Sequence, residues 1–222
     1  MFPKIAQKLL RVGTIILKIK FVKEVFLVKK FLTALLSALM IFTLTACGTS
    51  EEKNSAETST PVAEKEFLVA YFSATGTTKT LAENVAEVLG ADLYEIKPAV
   101  PYTTEDLNWR DETTRATVEQ RDEKFRTELA DKDAKISDYK NIIVAFPIWW
   151  GVEPRIIDTF IESYDFSGKI VIPICTSGGS DIGSSGDNLK ALAPSANFLQ
   201  GKSFMKNVSK DEIKNYFNSL GL

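Results

Sequence analysis

The chain has 222 residues, 45% of them hydrophobic, which suits one folded domain with additional segments. It contains no histidine, and this excludes Ser-His-Asp and Cys-His catalysis and most transition-metal sites. The net charge of −2 is unevenly distributed, because residues 1–46 carry eight Lys/Arg and one Glu, whereas residues 47–222 carry 19 Lys/Arg and 28 Asp/Glu. Nucleic acid is therefore not an expected partner of the acidic main body.

The N-terminal segment, residues 1–46, has the layout of a secretory signal. Basic residues precede sixteen uncharged residues, Phe31–Ala46, and small residues lead to Cys47. The sequence Leu-Thr-Ala-Cys at this point resembles a bacterial lipobox, which implies cleavage before Cys47 and its lipidation. An uncleaved helical membrane anchor is the alternative, although the apolar run is short for a span. We also expect translation to begin at Val28, with residues 1–27 an extension ahead of the true start.

The next segment, residues 47–64, is polar and rich in Ser, Thr and Glu. It cannot bury apolar surface, so we expect a disordered tether that ends where a folded domain, residues 65–222, begins. Only two cysteines are present, and lipidation of Cys47 would leave Cys175 without a disulfide partner. We interpret Cys175 as a small buried hydrophobic residue, with a thiol close to a bound ligand as the alternative.

The folded domain alternates predicted strands and helices. Predicted strands span residues 66–72, 92–96, 141–146, 169–174 and 197–204. Predicted helices span residues 77–89, 155–164 and 183–192, and a last helix follows a capping box of Ser209 and Glu212. Nearly continuous apolar strands are typical of a parallel sheet covered on both faces, which binds ligands at the carboxyl ends of its strands.

The charged segment between residues 97 and 139 departs from this alternation. We predict a solvated helix and loop there, with packing contacts from Val118, Phe125 and Leu129. Trp109 stands in polar surroundings, and we interpret it as a surface anchor of this segment, with a ligand contact as the alternative.

A hydroxyl-rich turn follows the first predicted strand. The sequence SATGTT, residues 73–78, places four hydroxyl groups beside Gly76 where a helix begins. The first N–H groups of a helix lack internal partners and the helix dipole favours an anion, so this turn predicts a phosphate site. An ordinary helix N-cap is the alternative, but it needs one hydroxyl. The glycine spacings of a P-loop and of a dinucleotide-binding turn are both absent.

Three loops together resemble those of the flavodoxin family: SATGTT, FPIWWGVEP after the third strand and CTSGGSDIGSS after the fourth. The resemblance covers residues 65–222. It implies a flavodoxin-like, doubly wound, five-stranded parallel sheet with helices on both faces, and FMN as a non-covalent cofactor. The phosphate contacts that it implies are Ser73, Thr75, Gly76, Thr77 and Thr78.

The two later loops would hold the isoalloxazine ring. By resemblance, the first supplies Pro147, Ile148, Trp149, Trp150 and Gly151, and the second supplies Thr176, Ser177, Gly178 and Gly179 at the pyrimidine edge. Adjacent tryptophans on an extended chain point in opposite directions, so we expect at most one to contact the ring and prefer Trp149, with core packing as the alternative.

Two finer roles follow from the same resemblance. The Trp150–Gly151 peptide would bond the protonated flavin N5. Asp181 would tune the redox potential, since a nearby carboxylate opposes a reduced anion. The alternative for Asp181 is a turn or N-cap residue before the helix at 183–192.

The resulting prediction is an FMN-binding electron-transfer protein, lipid-anchored to the extracytoplasmic face of a bacterial cell membrane and docking to a redox partner protein. The alternative is an FMN-dependent NAD(P)H/quinone-type oxidoreductase that reduces a small acceptor such as a quinone. A flavin-free binding module is a third possibility, which the intact phosphate loop argues against.

Overall fold

A parallel β-sheet organises the part of the chain that the computed structural model describes, residues 65–222. The predicted signal segment, the lipidated Cys47 and the tether lie outside these residues. No helix within the described range has the length and apolar character that crossing a bilayer requires.

The sheet has the order β2-β1-β3-β4-β5, with β6 also paired to β4. Its strands are β1 Lys65–Tyr71, β2 Asp92–Glu95, β3 Tyr139–Pro147, β4 Ile170–Thr176, β5 Asn197–Phe198 and β6 Lys202–Phe204. The helices are α1 Thr77–Leu89, α2 Arg115–Arg121, α3 Arg155–Ser163, α4 Ser185–Leu192 and α5 Lys210–Ser219, and a 3₁₀ turn spans Ile136–Asp138. All of the strand pairs are parallel.

Helices cover both faces of the sheet, as predicted. Successive residues of β1 point to opposite sides, so Leu68 and Ala70 join one core and Val69 and Tyr71 join the other. The first core is completed by α3 and α4, and the second by α1 and α5. This two-sided burial explains why the central strands carry continuous apolar runs. The predicted doubly wound architecture is confirmed.

The fifth strand position is split, whereas the sequence predicted one strand over residues 197–204. The Leu199 N–H donates to the Val171 carbonyl at 3.0 Å, which continues the ladder from β5. Pro173 lies two residues further along β4 and faces the same chain segment as Val171 does, but proline has no N–H to donate. The ladder therefore breaks and resumes at β6, opposite Ile174.

The segment between β2 and β3 differs from its prediction. Its one α-helix, α2, is short, and Val118 is 52% exposed and not a packing contact. The buried residues of α2 include the polar Glu119 and Gln120. Burial of the Glu119 carboxylate is tolerated because it accepts hydrogen bonds from the Tyr102 hydroxyl, the Thr127 hydroxyl and the Arg115 guanidinium. The expected burial of Leu129 is confirmed.

Candidate functional site

The hydroxyl-rich turn lies between the carboxyl end of β1 and the N-terminus of α1. Gly76 is the N-cap residue and has φ 88°, a left-handed conformation that glycine adopts without steric cost. No side chain caps this helix end, and its first turn carries no acidic residue. The ordinary N-cap interpretation is therefore excluded, and the positive end of the helix dipole is left open to an external anion.

The hydroxyl groups of this turn have different environments. Thr78 is buried, and its hydroxyl shares a 2.8 Å hydrogen bond with the hydroxyl of Thr176 at the end of β4. The Ser73 hydroxyl oxygen is buried and has no hydrogen-bond partner among the described residues. A buried polar group without a partner costs free energy, so Ser73 suits a position that a ligand completes.

A tight turn at Trp149–Val152 follows β3. The Trp149 N–H donates to the Val152 carbonyl at 2.9 Å, and the Val152 N–H donates back at 3.1 Å. Trp150 and Gly151 have φ of 49° and 87°, which is the pattern of a type I′ turn. Trp150 is the one non-glycine residue with positive φ between residues 65 and 222. Such strain is common in ligand-binding turns, where surrounding contacts hold it in place.

The two tryptophans of this turn have different roles in packing. The Trp149 ring makes edge-on contacts with Phe72 and Tyr102, with ring centroids 5.6 and 5.3 Å apart. Trp150 is 47% exposed. Trp149 is thus anchored to the core while Trp150 faces outward, and both line the same cavity.

The third predicted loop follows β4 and uses most of its polar groups internally. The Ser177 N–H donates to the Phe204 carbonyl at 3.1 Å, and the Gly179 N–H donates to the Ser177 hydroxyl at 3.0 Å. Asp181 is exposed, and its carboxylate accepts a hydrogen bond from the Ile182 N–H. The Gly178 N–H has no hydrogen-bond partner among the described residues, and Gly178 lines a cavity, so it is the amide of this loop best placed to serve a ligand.

Three cavities meet where these loops converge, and all three include Thr75 and Thr77 in their walls. The tryptophan cavity, of about 370 Å³, is lined by Ala74, Thr75, Thr77, Thr78, Leu107, Trp109, Ala116, Pro147, Ile148, Trp149 and Trp150. The helix-end cavity, of about 420 Å³, is lined by Thr75, Gly76, Thr77, Thr80 and Lys206. The two-loop cavity, of about 450 Å³, is lined by Thr75, Thr77, Pro147, Ile148, Thr176, Ser177, Gly178, Met205, Lys206 and Asn207.

Most of the predicted site residues therefore lie together at one edge of the sheet. Ser73 belongs to the hydroxyl-rich turn and its hydroxyl is buried. Gly151 completes the turn that carries Trp150. Gly179 and Asp181 lie outside the walls of the three cavities.

Besides Thr80 in the first turn of α1, two groups of cavity residues lie outside the three loops predicted to contact the ligand. Leu107, Trp109 and Ala116 reach the tryptophan cavity from the segment between β2 and β3. Trp109 is 64% exposed and lines this cavity, a position that suits the ligand contact given above as the alternative to a surface anchor. The sequence feature that pointed to this first group was Trp109, an isolated tryptophan in a charged segment. The second group, residues 205–207, follows β6 and carried no motif.

Cys175 lies beneath the third loop and is fully buried. Burial raises the pKa of its thiol to about 11, so the thiol is protonated at neutral pH and unreactive. This agrees with its interpretation as a small hydrophobic residue. Within residues 65–222, no group of three or more acidic, cysteine or histidine residues is arranged to hold a metal ion.

Fold and site together define a doubly wound α/β protein whose cavities open at the carboxyl ends of its central strands. The family model for flavodoxin matches residues 66–220, and the chain belongs to the flavodoxin family. No curated protein matches it.

Solved structures give the same assignment. A candidate flavoprotein from Bacteroides eggerthii is 41% identical, and the alignment covers 71% of this chain and 98% of that one with a TM-score of 0.67. A second, from Bacteroides uniformis, is 44% identical over 69% of this chain and 98% of its own, with a TM-score of 0.66. A flavoprotein from Lactobacillus acidophilus, crystallised in complex with FMN, shares the fold at 23% identity, covering 67% of this chain and 97% of its own with a TM-score of 0.52.

Proposed function

We propose that this protein binds FMN non-covalently and transfers electrons through it. Membership of the flavodoxin family and the FMN complex of a protein with the same fold support this cofactor. The observation in this chain that carries the proposal is the uncapped N-terminus of α1, with Thr75 and Thr77 in the walls of the three adjoining cavities and the Ser73 hydroxyl unpartnered. Hydroxyl groups and free N–H groups are the donors that a terminal phosphate requires.

The remaining loops suit the flavin ring. The anchored Trp149 and the outward-facing Trp150 supply flat apolar surface, while the Gly178 N–H supplies a donor for the polar edge of the ring. The peptide group shared by Trp150 and Gly151, both of which have a left-handed backbone, would bond the protonated flavin N5. FMN would supply the redox chemistry, and the chain would bind it, orient it and limit its contact with water.

The predicted lipid anchor at Cys47 sets the cellular context of the proposal. A signal segment and a polar tether would place the flavodoxin domain on the extracytoplasmic face of a bacterial membrane, where a redox partner protein would dock. Mass spectrometry of the membrane-extracted protein tests this step, because lipidation requires an N-terminal Cys47 that carries acyl chains. An unmodified Cys47 in the mature protein would contradict it.

A second candidate function is an FMN-dependent oxidoreductase acting on a small acceptor such as a quinone. The tryptophan cavity favours it, because Leu107, Trp109 and Ala116 extend this cavity beyond the predicted flavin loops. A flat, largely apolar acceptor would suit such walls.

Two measurements separate these functions. The purified protein should be yellow, and acid should release FMN and not FAD. Steady-state oxidation of NAD(P)H is then measured with and without a soluble quinone. Absence of turnover by protein whose bound flavin is chemically reducible supports the carrier, and rapid quinone-dependent turnover supports the enzyme. A correctly folded protein that neither contains nor takes up flavin would refute both.

A further inference from the structure

The charges around the three cavities are unusual for this domain. Residues 65–222 carry 18 Lys/Arg and 24 Asp/Glu, a clear excess of negative charge. The cavity walls nevertheless include no carboxylate, and Lys206 is the single charged residue among the wall residues described. An acidic protein that binds an anion would otherwise repel it, so the placement of this one cation is informative.

Lys206 lies in the walls of two cavities that adjoin the hydroxyl-rich turn. In the helix-end cavity, the other four wall residues, between Thr75 and Thr80, come from that turn and the first turn of α1. The two-loop cavity is lined by Lys206 together with Thr75, Thr77 and residues at the end of β4 and in the loop that follows it. One lysine thus shares two cavity walls with residues of the uncapped helix end.

The backbone that carries Lys206 is fixed to the sheet. Phe204 pairs with Thr176 at the end of β4, and the Phe204 carbonyl accepts a hydrogen bond from the Ser177 N–H. The Val208 N–H closes a turn onto the Met205 carbonyl at 3.1 Å, with Lys206 inside that turn. The position of Lys206 is therefore determined by the same strand end that supports the third loop.

The Lys206 ammonium group has no ion-pair partner among the described residues. Nearby lysines differ in this respect, since Lys202 pairs with Glu212 at 3.2 Å and Lys79 lies 4.0 Å from Glu83. Lys206 is exposed and lines both cavities that adjoin the hydroxyl-rich turn. A phosphate monoester carries about −1.5 to −2 charges at neutral pH, and neither hydroxyl nor amide groups neutralise that charge.

We propose that Lys206 is the counter-charge for the terminal phosphate of the flavin cofactor and makes cofactor loading selective for FMN over riboflavin. This inference rests on the proposed FMN site and assigns its electrostatic component to a residue outside the three flavodoxin-like loops. Hydroxyl and N–H donors would fix the position of the phosphate, whereas Lys206 would supply long-range attraction. That attraction decreases as salt screens it, so the preference for FMN should decrease at high ionic strength.

The test compares FMN and riboflavin binding by flavin fluorescence quenching in the apoprotein and in three variants. Lys206→Met should weaken FMN binding by about threefold to tenfold at low ionic strength, in the range expected for one exposed charge acting on a multivalent anion, and leave riboflavin binding unchanged. Lys206→Arg should retain the preference for FMN. Lys140→Met is the matched control, because it removes an exposed lysine near the start of β3, at the opposite end of that strand from the cavities, and it should bind FMN as the unmodified protein does.

Three results would overturn the assignment. Unchanged FMN affinity in Lys206→Met would show that the lysine does not act on the phosphate. An equal loss for FMN and riboflavin would show that it acts on the ring or on the loop. If the unmodified, folded protein binds riboflavin and FMN equally, no phosphate recognition exists and Lys206 has no such role. Failure to bind any flavin would instead refute the proposed function, and the role of Lys206 with it.

Discussion

A methyl group added at Gly183 would test whether the Trp149–Val152 turn positions the cofactor. Gly183 has φ 62°, and a Cβ at this position would overlap the Gly151 carbonyl oxygen. The obstacle is backbone and not a flexible side chain, so Gly183→Ala can be accommodated only if the turn or the loop after β4 moves. The proposed FMN site requires both of these segments.

The expected loss of folding stability in Gly183→Ala has two separate contributions. A left-handed conformation costs a non-glycine residue about 1–2 kcal/mol. Overpacking against a fixed neighbour adds typically about 1–3 kcal/mol. Gly168 provides the matched control, because it has φ 74° and a Cβ there would meet nothing within 4 Å. It precedes β4 at the opposite end of that strand from the cavities. Gly168→Ala therefore carries the first cost alone.

Urea unfolding and FMN titration of both variants separate the two effects. Gly168→Ala should lower the free energy of unfolding by about 1–2 kcal/mol, and Gly183→Ala, which carries both costs, by about 2–5 kcal/mol. Only Gly183→Ala should weaken FMN binding, by roughly tenfold if about 1.4 kcal/mol of the added strain is relieved by displacing the turn. Equal FMN affinities in the two folded variants would refute the argument that this turn holds the flavin.

Three further predictions concern other parts of the domain. Ser73→Ala removes an unpartnered buried hydroxyl, so calorimetry should show FMN binding weakened by about 0.5–1.5 kcal/mol while urea unfolding shows no loss of apoprotein stability. Trp150→Ala should weaken binding of FMN and riboflavin alike in fluorescence titrations, because it removes surface available to the ring that they share. Burial, with the neighbouring Glu153, raises the pKa of Asp158 from its ordinary 3.8 to about 7, so the folded state retains a proton that the unfolded state releases. The resulting stabilisation is fully present below the ordinary pKa and is lost as the pH rises through 7. Urea unfolding across this window should show that the free energy of unfolding depends less on pH in Asp158→Asn than in the unmodified protein.

Much of the sheet could be predicted from local sequence because its strands are buried on both faces. β3 shows this clearly, because a strand buried on both faces appears in the amino-acid sequence as an apolar run between polar segments. The split of the last strand was harder to predict. It depends on Pro173 facing that strand in the assembled sheet, and this register is a tertiary property.

The candidate site was predictable only in its local parts. The turn around Gly76 combines hydroxyl groups, glycine and a helix start within six residues, so its chemistry can be inferred without tertiary structure. Trp109 and Lys206 reach the cavities from segments that are distant in sequence and carry no motif of their own. The buried Glu119 shows the same limitation, because its partners Tyr102 and Thr127 meet it only in the folded chain.

The central claim is that the open end of α1, with the hydroxyl groups around it, binds the terminal phosphate of FMN. The most direct measurement is an isothermal titration of the flavin-free, folded protein with FMN and, in parallel, with riboflavin. We expect saturable binding of one FMN per chain and distinctly weaker binding of riboflavin. No heat with FMN, from protein whose circular dichroism shows an intact α/β fold, would contradict it.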